Sequence, residues 1–155
     1  MAVPSPPYAV EDLLAYLAGR WSVVRVIEDR SAGVVGGFEG TLDCTPDADA
    51  ATLTMHEHGE LDWSGVRRPA FRTTRLAVGD QPGVAEVRFD DGRLFHTLDL
   101  RSGVWVADHP CAPDAYEGTF TVNGRDAWAY EWRVTGPRKD LLLRSRVTRE
   151  RPPSR

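Results

Sequence analysis

The sequence predicts an all-β fold, an antiparallel up-and-down barrel of about eight to ten strands with one short helix at its start. Three observations carry the prediction. Apolar residues recur at helical spacing only once, near the beginning, and beyond Gly19 they keep a period of two. Two hairpin signals, Asp91-Gly92 and Asn123-Gly124, join neighbouring strand patterns directly. No second amphipathic segment is long enough to cross over a parallel sheet. An open sheet of this size would leave free edges, which closure into a barrel removes; a β-sandwich is the structural rival.

The elements follow in order. Residues 1–8, with Pro4, Pro6 and Pro7, are expected to be a flexible N-terminal segment. Over 9–18, Val10, Leu13, Leu14 and Leu17 share one helical face, Glu11 and Asp12 sit in the first turn, and Gly19 stands just past the end. Strands are expected at 21–29, 34–44, 52–61, 71–78, 84–89, 93–100, 104–107, 116–122, 127–135 and 141–148. One barrel domain therefore spans 9–149, and 150–155 form a flexible tail.

The chain has 155 residues, with 19 Lys and Arg against 23 Asp and Glu, a formal net charge of −4. That balance gives no basic surface for nucleic acid or for an anionic membrane. The start lacks the charged and apolar regions of a secretory signal, and no apolar run approaches the roughly 20 residues that span a bilayer. Cys44 and Cys111 are the only cysteines. Without an export signal they are expected to be reduced thiols in a cytoplasmic protein. The oligomeric state stays open.

Gly19-Arg20-Trp21, placed after a short helix and at the start of the first strand, resembles the G-x-W signature of lipocalins and other calycins. The resemblance implies a barrel whose Trp closes the helix-side end under an arginine from the last strand, here Arg144, Arg146 or Arg149. The fuller pattern is similar to an uncharacterised family of small bacterial calycin-like proteins. It runs through Phe95-His96-x-Leu98-Asp99-Leu100, His109-Pro110-Cys111-x-x-Asp114-x-Tyr116 and Trp132-x-Val134-x-Gly136-Pro137-x-Lys139. That family brings no activity with it.

Strand parity nominates the candidate site. In 127–135 every bulky apolar residue is even-numbered, so Trp128, Tyr130, Trp132 and Val134 share one face. Such a face fills a core or walls a ligand site. The same test turns polar groups inward: Arg25 with Trp21 and Val23, Glu57 with Met55, and His96 with Leu94 and Leu98. Tyr116 shares a face with Gly118, Phe120 and Val122, where Gly118 leaves room beside it. Buried charge must pair or meet a ligand, so Arg25 and Glu57 form an internal ion pair or contact a bound molecule. His96 is either a hydrogen-bonded core histidine or a proton-transfer group.

His109, Cys111 and Asp114 lie in a proline-stiffened segment expected as a loop at the barrel mouth. A Cys–His nucleophilic pair there competes with the simpler reading, a loop tied by Asp114 capping backbone amides. His56 and His58 fall on the polar, outer parity of their strand, which favours a solvated face over a metal site, and no metal is expected. Lys139 follows a turn and is expected at the surface.

Together these residues describe a small-molecule-binding barrel. His96 and Tyr116 are its candidate catalytic groups. Arg25, Glu57, Trp128, Tyr130, Trp132, His109, Cys111 and Asp114 are its candidate ligand contacts. The chemistry they allow is cofactor-free acid/base catalysis, such as isomerisation, cyclisation or dehydration, with Tyr116 or Arg25 steadying negative charge. A carrier without chemistry, including a haem carrier with His96 or His109 as axial ligand, is the first alternative. A packed structural or interaction domain is the second.

Overall fold

The computed structural model describes residues 7–49 and 51–151. Most of the two expected flexible ends lies outside them. Tyr8, placed by the sequence in the loose start, donates its N–H to the Val122 carbonyl at 3.0 Å, and Glu150 donates to Arg20 at 3.0 Å.

The helix is shorter than the periodicity suggests. α1 runs Leu13–Leu17, with Asp12 as its N-cap accepting the Ala15 N–H at 3.1 Å. An Asp side chain that satisfies a first-turn amide fixes the helix start there. Val10 keeps its apolar face but belongs to an extended lead-in, its N–H bonded to Leu100 O at 2.9 Å.

Ten strands follow: β1 Gly19–Asp29, β2 Val34–Pro46, β3 Thr52–Trp63, β4 Val66–Val78 and β5 Val84–Phe89, then β6 Leu94–Asp99, β7 Val104–Cys111, β8 Asp114–Gly124, β9 Ala127–Thr135 and β10 Asp140–Arg149. They form one antiparallel sheet in the order β6-β5-β4-β3-β2-β1-β10-β9-β8-β7. The ends of that order, β6 and β7, meet without a hydrogen-bonded ladder. Side chains close this seam instead: Trp105 Nε1 donates to Thr97 O at 2.9 Å, and Phe95 stacks on Trp132 with ring centroids 5.0 Å apart. The fold is a nearly closed barrel, as the sustained period of two predicts.

Strand lengths shape the open end. β4 starts five residues before its expected start, because Ser64 and Gly65 adopt positive φ (52° and 78°) and turn a tight hairpin with β3. Yet β5 covers only Thr74–Val78 of it. The earlier part of β4 is thus paired on one side only, and the short β5–β6 hairpin leaves a notch in the rim.

The opposite end is closed by Trp21, which is fully buried. Its Nε1 donates to Leu17 O at 2.8 Å, tying the first strand to the helix. Of the three candidate arginines it is Arg149 that covers the ring, its guanidinium carbon 4.1 Å from the indole centroid. The same guanidinium donates to the Tyr16 and Ala18 carbonyls at 2.9 and 3.3 Å, satisfying the helix C-terminus. Arg144 and Arg146 are exposed on the other face of β10. Trp21→Ala is expected to cost about 3–5 kcal/mol, the scale for deleting a core aromatic. Chemical denaturation measures this, and an unchanged midpoint would contradict it.

Candidate functional site

Above the plug formed by Leu13, Leu17 and Trp21 the lumen is not completely filled. A cavity of about 70 Å³ lies among Trp128, Tyr130, Trp132, Phe120, Phe95 and His96, with Glu57, Arg72 and Thr74 on its β3–β4 side. Its walls form because β8 and β9 turn their even residues inward in register, Phe120 opposite Tyr130 and Gly118 opposite Trp132. The rings pack in sequence: Trp128 on Tyr130 at 5.5 Å, Tyr130 on Phe120 at 5.4 Å, and Phe120 beside His96 at 5.3 Å. The space expected beside Gly118 is taken by Trp132, whose ring atoms come within 2.8 Å of where a Cβ would stand. Any side chain at 118 would force that indole to shift.

Two residues lining the cavity escaped the parity rule or were not singled out by it. The register shifts between Val87 and Arg88, so that Arg88 faces Leu94 while Val87 faces His96. An irregularity of that kind inserts one residue and re-aims its neighbours. Phe95 therefore turns toward the lumen, and Leu94, expected inside with His96, is 45% exposed. Arg72 had a legible signal, since it shares β4 parity with Thr74 and Leu76.

Arg25 and Glu57 meet as an internal ion pair. Arg25 Nη1 and Nη2 donate to the two Glu57 oxygens, each at 2.8 Å; Nε donates to Ser145 Oγ at 2.7 Å and Nη2 also to Tyr130 Oη at 2.6 Å. Burial opposes the guanidinium's charge, but the Tyr130 hydroxyl and Glu57 carboxylate outweigh it and hold Arg25 above its ordinary value. Burial also pushes the Glu57 carboxyl up, and the Arg25 bonds with the charges of Arg25 and Arg72 bring it below its ordinary 4.5. Two buried charges are tolerated when each is met this completely. Glu57 lines the cavity, whereas Arg25 stands behind it.

His96 is the cavity's histidine, 6% exposed. Its Nδ1 lies 2.7 Å from the Thr97 carbonyl. A carbonyl only accepts, so Nδ1 carries the proton and Nε2 keeps its lone pair. Burial pushes the imidazole below its ordinary 6.5; the Thr97 bond works the other way, and the charges of His109 and Arg72 add to the lowering. At neutral pH the ring is an uncharged base. Trp128 Nε1 is buried without a hydrogen-bond partner among the described residues.

The other candidates gather at the rim and do not reach the cavity lining. β7 extends to Cys111, so His109 belongs to a strand rather than a loop. It packs edge-on against Phe95 at 5.3 Å and against Tyr116 at 5.6 Å. Tyr116 is half-buried there, outside the space that holds His96. Asp114 ties the rim by pairing with Lys139 at 3.2 Å rather than by capping amides. Gly136 makes that possible: a Cβ there would collide with the Asp114 carboxylate. Cys111 is exposed, while Cys44 is buried and its thiol is pushed up to about 12 by that burial.

His56 and His58 stack on the outside at 5.3 Å, one beside Thr73 and the other beside Asp43. Among the described residues no group of three or more His, Cys, Asp or Glu side chains could hold a metal ion. A haem held by His96 does not fit, because His96 faces a cavity of about 70 Å³, far below the roughly 300–1,000 Å³ of a drug-sized pocket; His109, the other candidate ligand, lies outside that cavity and packs against Phe89, Phe95 and Tyr116.

The buried groups fix the pH response. His96 binds its proton less readily folded than unfolded, so stability falls as pH drops below about 6.5 and levels off once the folded ring titrates. The contribution of Glu57, fully present above 4.5, is lost as pH falls through its lowered folded value. Urea midpoints measured from pH 7 to pH 2 should therefore decline in two stages, one beginning below about 6.5 and one below about 4.5, and His96→Gln should remove the first. A flat profile to pH 5 in the native chain would refute the placement of His96.

No curated protein matches this sequence. In fold it resembles an S-type phycobiliprotein lyase from Guillardia theta, with a TM-score of 0.73 at 15% identity over 94% of this chain and 95% of that one. A DUF3598-family protein of unknown function from Nostoc punctiforme gives 0.61 at 13% identity, 94% of this chain matching 51% of that one. A de novo designed fluorescence-activating β-barrel gives 0.50 at 15% identity over 91% of this chain and all of the design (100%). At these identities the likeness is one of fold. Residues 17–149 match a family of unknown function, DUF6314, and the chain belongs to it.

Proposed function

We propose that the barrel binds a small planar molecule in its lumen and moves a proton on it with His96, without a cofactor. One observation carries the reading: an uncharged imidazole, with Nε2 as its lone-pair nitrogen, is built into a cavity walled by aromatic rings. Aromatic walls select planarity, and a base with a lowered pKa stays unprotonated at neutral pH. The cavity's volume of about 70 Å³ admits the reacting part of a ligand. The remainder extends toward the rim, where His109, Tyr116, Asp114 and Cys111 are the outer contacts. Arg25 has four of its five donors engaged and serves by fixing Glu57 and Tyr130.

The reaction class is proton abstraction from carbon, the opening step of an isomerisation, cyclisation or dehydration. The likeness in fold to a phycobiliprotein lyase and to a fluorescence-activating barrel supports a ligand-handling role. The free thiols Cys44 and Cys111 suit a reducing, cytoplasmic setting. A second reading, a packed domain with no ligand, draws on the small size of the cavity.

A panel of small conjugated carbonyl compounds separates the two. Binding should change the tryptophan fluorescence and raise the melting temperature, and a bound carbon acid should exchange its proton with deuterated solvent. His96→Gln should keep the binding and slow the exchange about 10²–10⁴-fold, the usual contribution of a general base. No response from any compound would favour the packed domain.

A further inference from the structure

The charges of the lumen do not cancel, and the excess has a definite place. Arg25 and Glu57 neutralise each other, because both Glu57 oxygens accept from Arg25 at 2.8 Å. His96 is uncharged at neutral pH. Arg72, which lines the same cavity, forms no ion pair among the described residues. It stands opposite Glu57 in the β3–β4 register, yet Glu57 is already committed. The lumen therefore carries one uncompensated positive charge in a chain whose net charge is −4.

Its position gives that charge a use. Arg72 is exposed at the notch where β4 has lost its β5 partner, and Thr74 follows it on the same inward face, buried and lining the cavity. Side chains two apart on a strand lie about 7 Å from each other and address one bound group together. A guanidinium fork beside a hydroxyl matches a carboxylate, which accepts two parallel hydrogen bonds from the fork. Deeper in, the surfaces are aromatic, with Phe95, Phe120, Trp128, Tyr130 and Trp132 around the space.

The geometry points to Arg72 as the anchor of a planar conjugated monocarboxylate, whose carboxylate rests between the exposed Arg72 and the buried Thr74 and whose ring enters the aromatic cavity. This assignment rests on the ligand-binding reading above and names its substrate class. It places the carboxylate toward solvent and the reacting carbon toward His96.

The test uses four probes on the full chain: benzoate, benzamide, benzylammonium and acetate. Benzoate should bind about tenfold more tightly than benzamide, the scale of one charged hydrogen-bonded pair, and benzylammonium more weakly than either. Acetate, a carboxylate without a ring, should bind at least about tenfold more weakly than benzoate. Arg72→Leu should remove the preference for benzoate while leaving benzamide unchanged, and Arg72→Lys should keep part of it. If benzamide matches benzoate, or Arg72→Leu leaves benzoate binding intact, the anchor is overturned while the lumen remains a ligand site. If acetate matches benzoate, the site is one for simple anions and the substrate class is wrong. If no probe binds, the ligand-binding reading fails and the anchor with it.

Discussion

The rest of the site depends on the Arg25–Glu57 pair. Arg25 reaches from β1 to Glu57 on β3, Tyr130 on β9 and Ser145 on β10, and its guanidinium lies over Phe38 on β2 at 5.1 Å. Five strands are thus registered to one planar cation in the lumen. A buried charge that lost one partner would cost several kcal/mol, so the arrangement tolerates little slippage. A slip of one residue would carry Arg25 or Glu57 to the outer face. The pair also sets the Tyr130 ring, on which Trp128 and Phe120 stack, and so fixes the wall that faces His96.

The two ends of the barrel are made differently, and the difference follows from chemistry. At the helix end Trp21 and Arg149 pack on each other and satisfy the carbonyls of Leu17 and Tyr16, leaving a buried plug. At the other end the seam between β6 and β7 has no ladder, and closure rests on side chains such as Trp105 and Phe95. Backbone ladders resist opening more than a few side-chain contacts do. The seam and the notch above β5 therefore put the more yielding part of the barrel beside the cavity.

Much of this was legible in the sequence because a strand exposes its two faces in strict alternation. Parity alone placed Glu57, His96, Trp128, Tyr130 and Trp132 around one space, and it also separates Arg149, on the face of Ser145 and Val147, from Arg144 and Arg146. What escaped was what alternation cannot encode. The register shift at Val87 exchanged Leu94 for Phe95, and Asp12 shortened the helix by capping it late. Pro110 did not stop β7, so His109 stayed in the sheet, and Tyr116 reached the rim cluster rather than the cavity. The Asp114–Lys139 contact joins residues far apart in sequence, and only Gly136 hints at it.

The central claim is that His96 presents an uncharged base to the lumen. Long-range nitrogen–proton correlation spectra of the histidine rings report tautomer and charge directly. The account predicts that at pH 7 His96 carries its single proton on Nδ1, held by the Thr97 carbonyl, with Nε2 showing the shift of a lone-pair nitrogen. A ring protonated at both nitrogens at pH 7, or carrying its proton on Nε2, would contradict it.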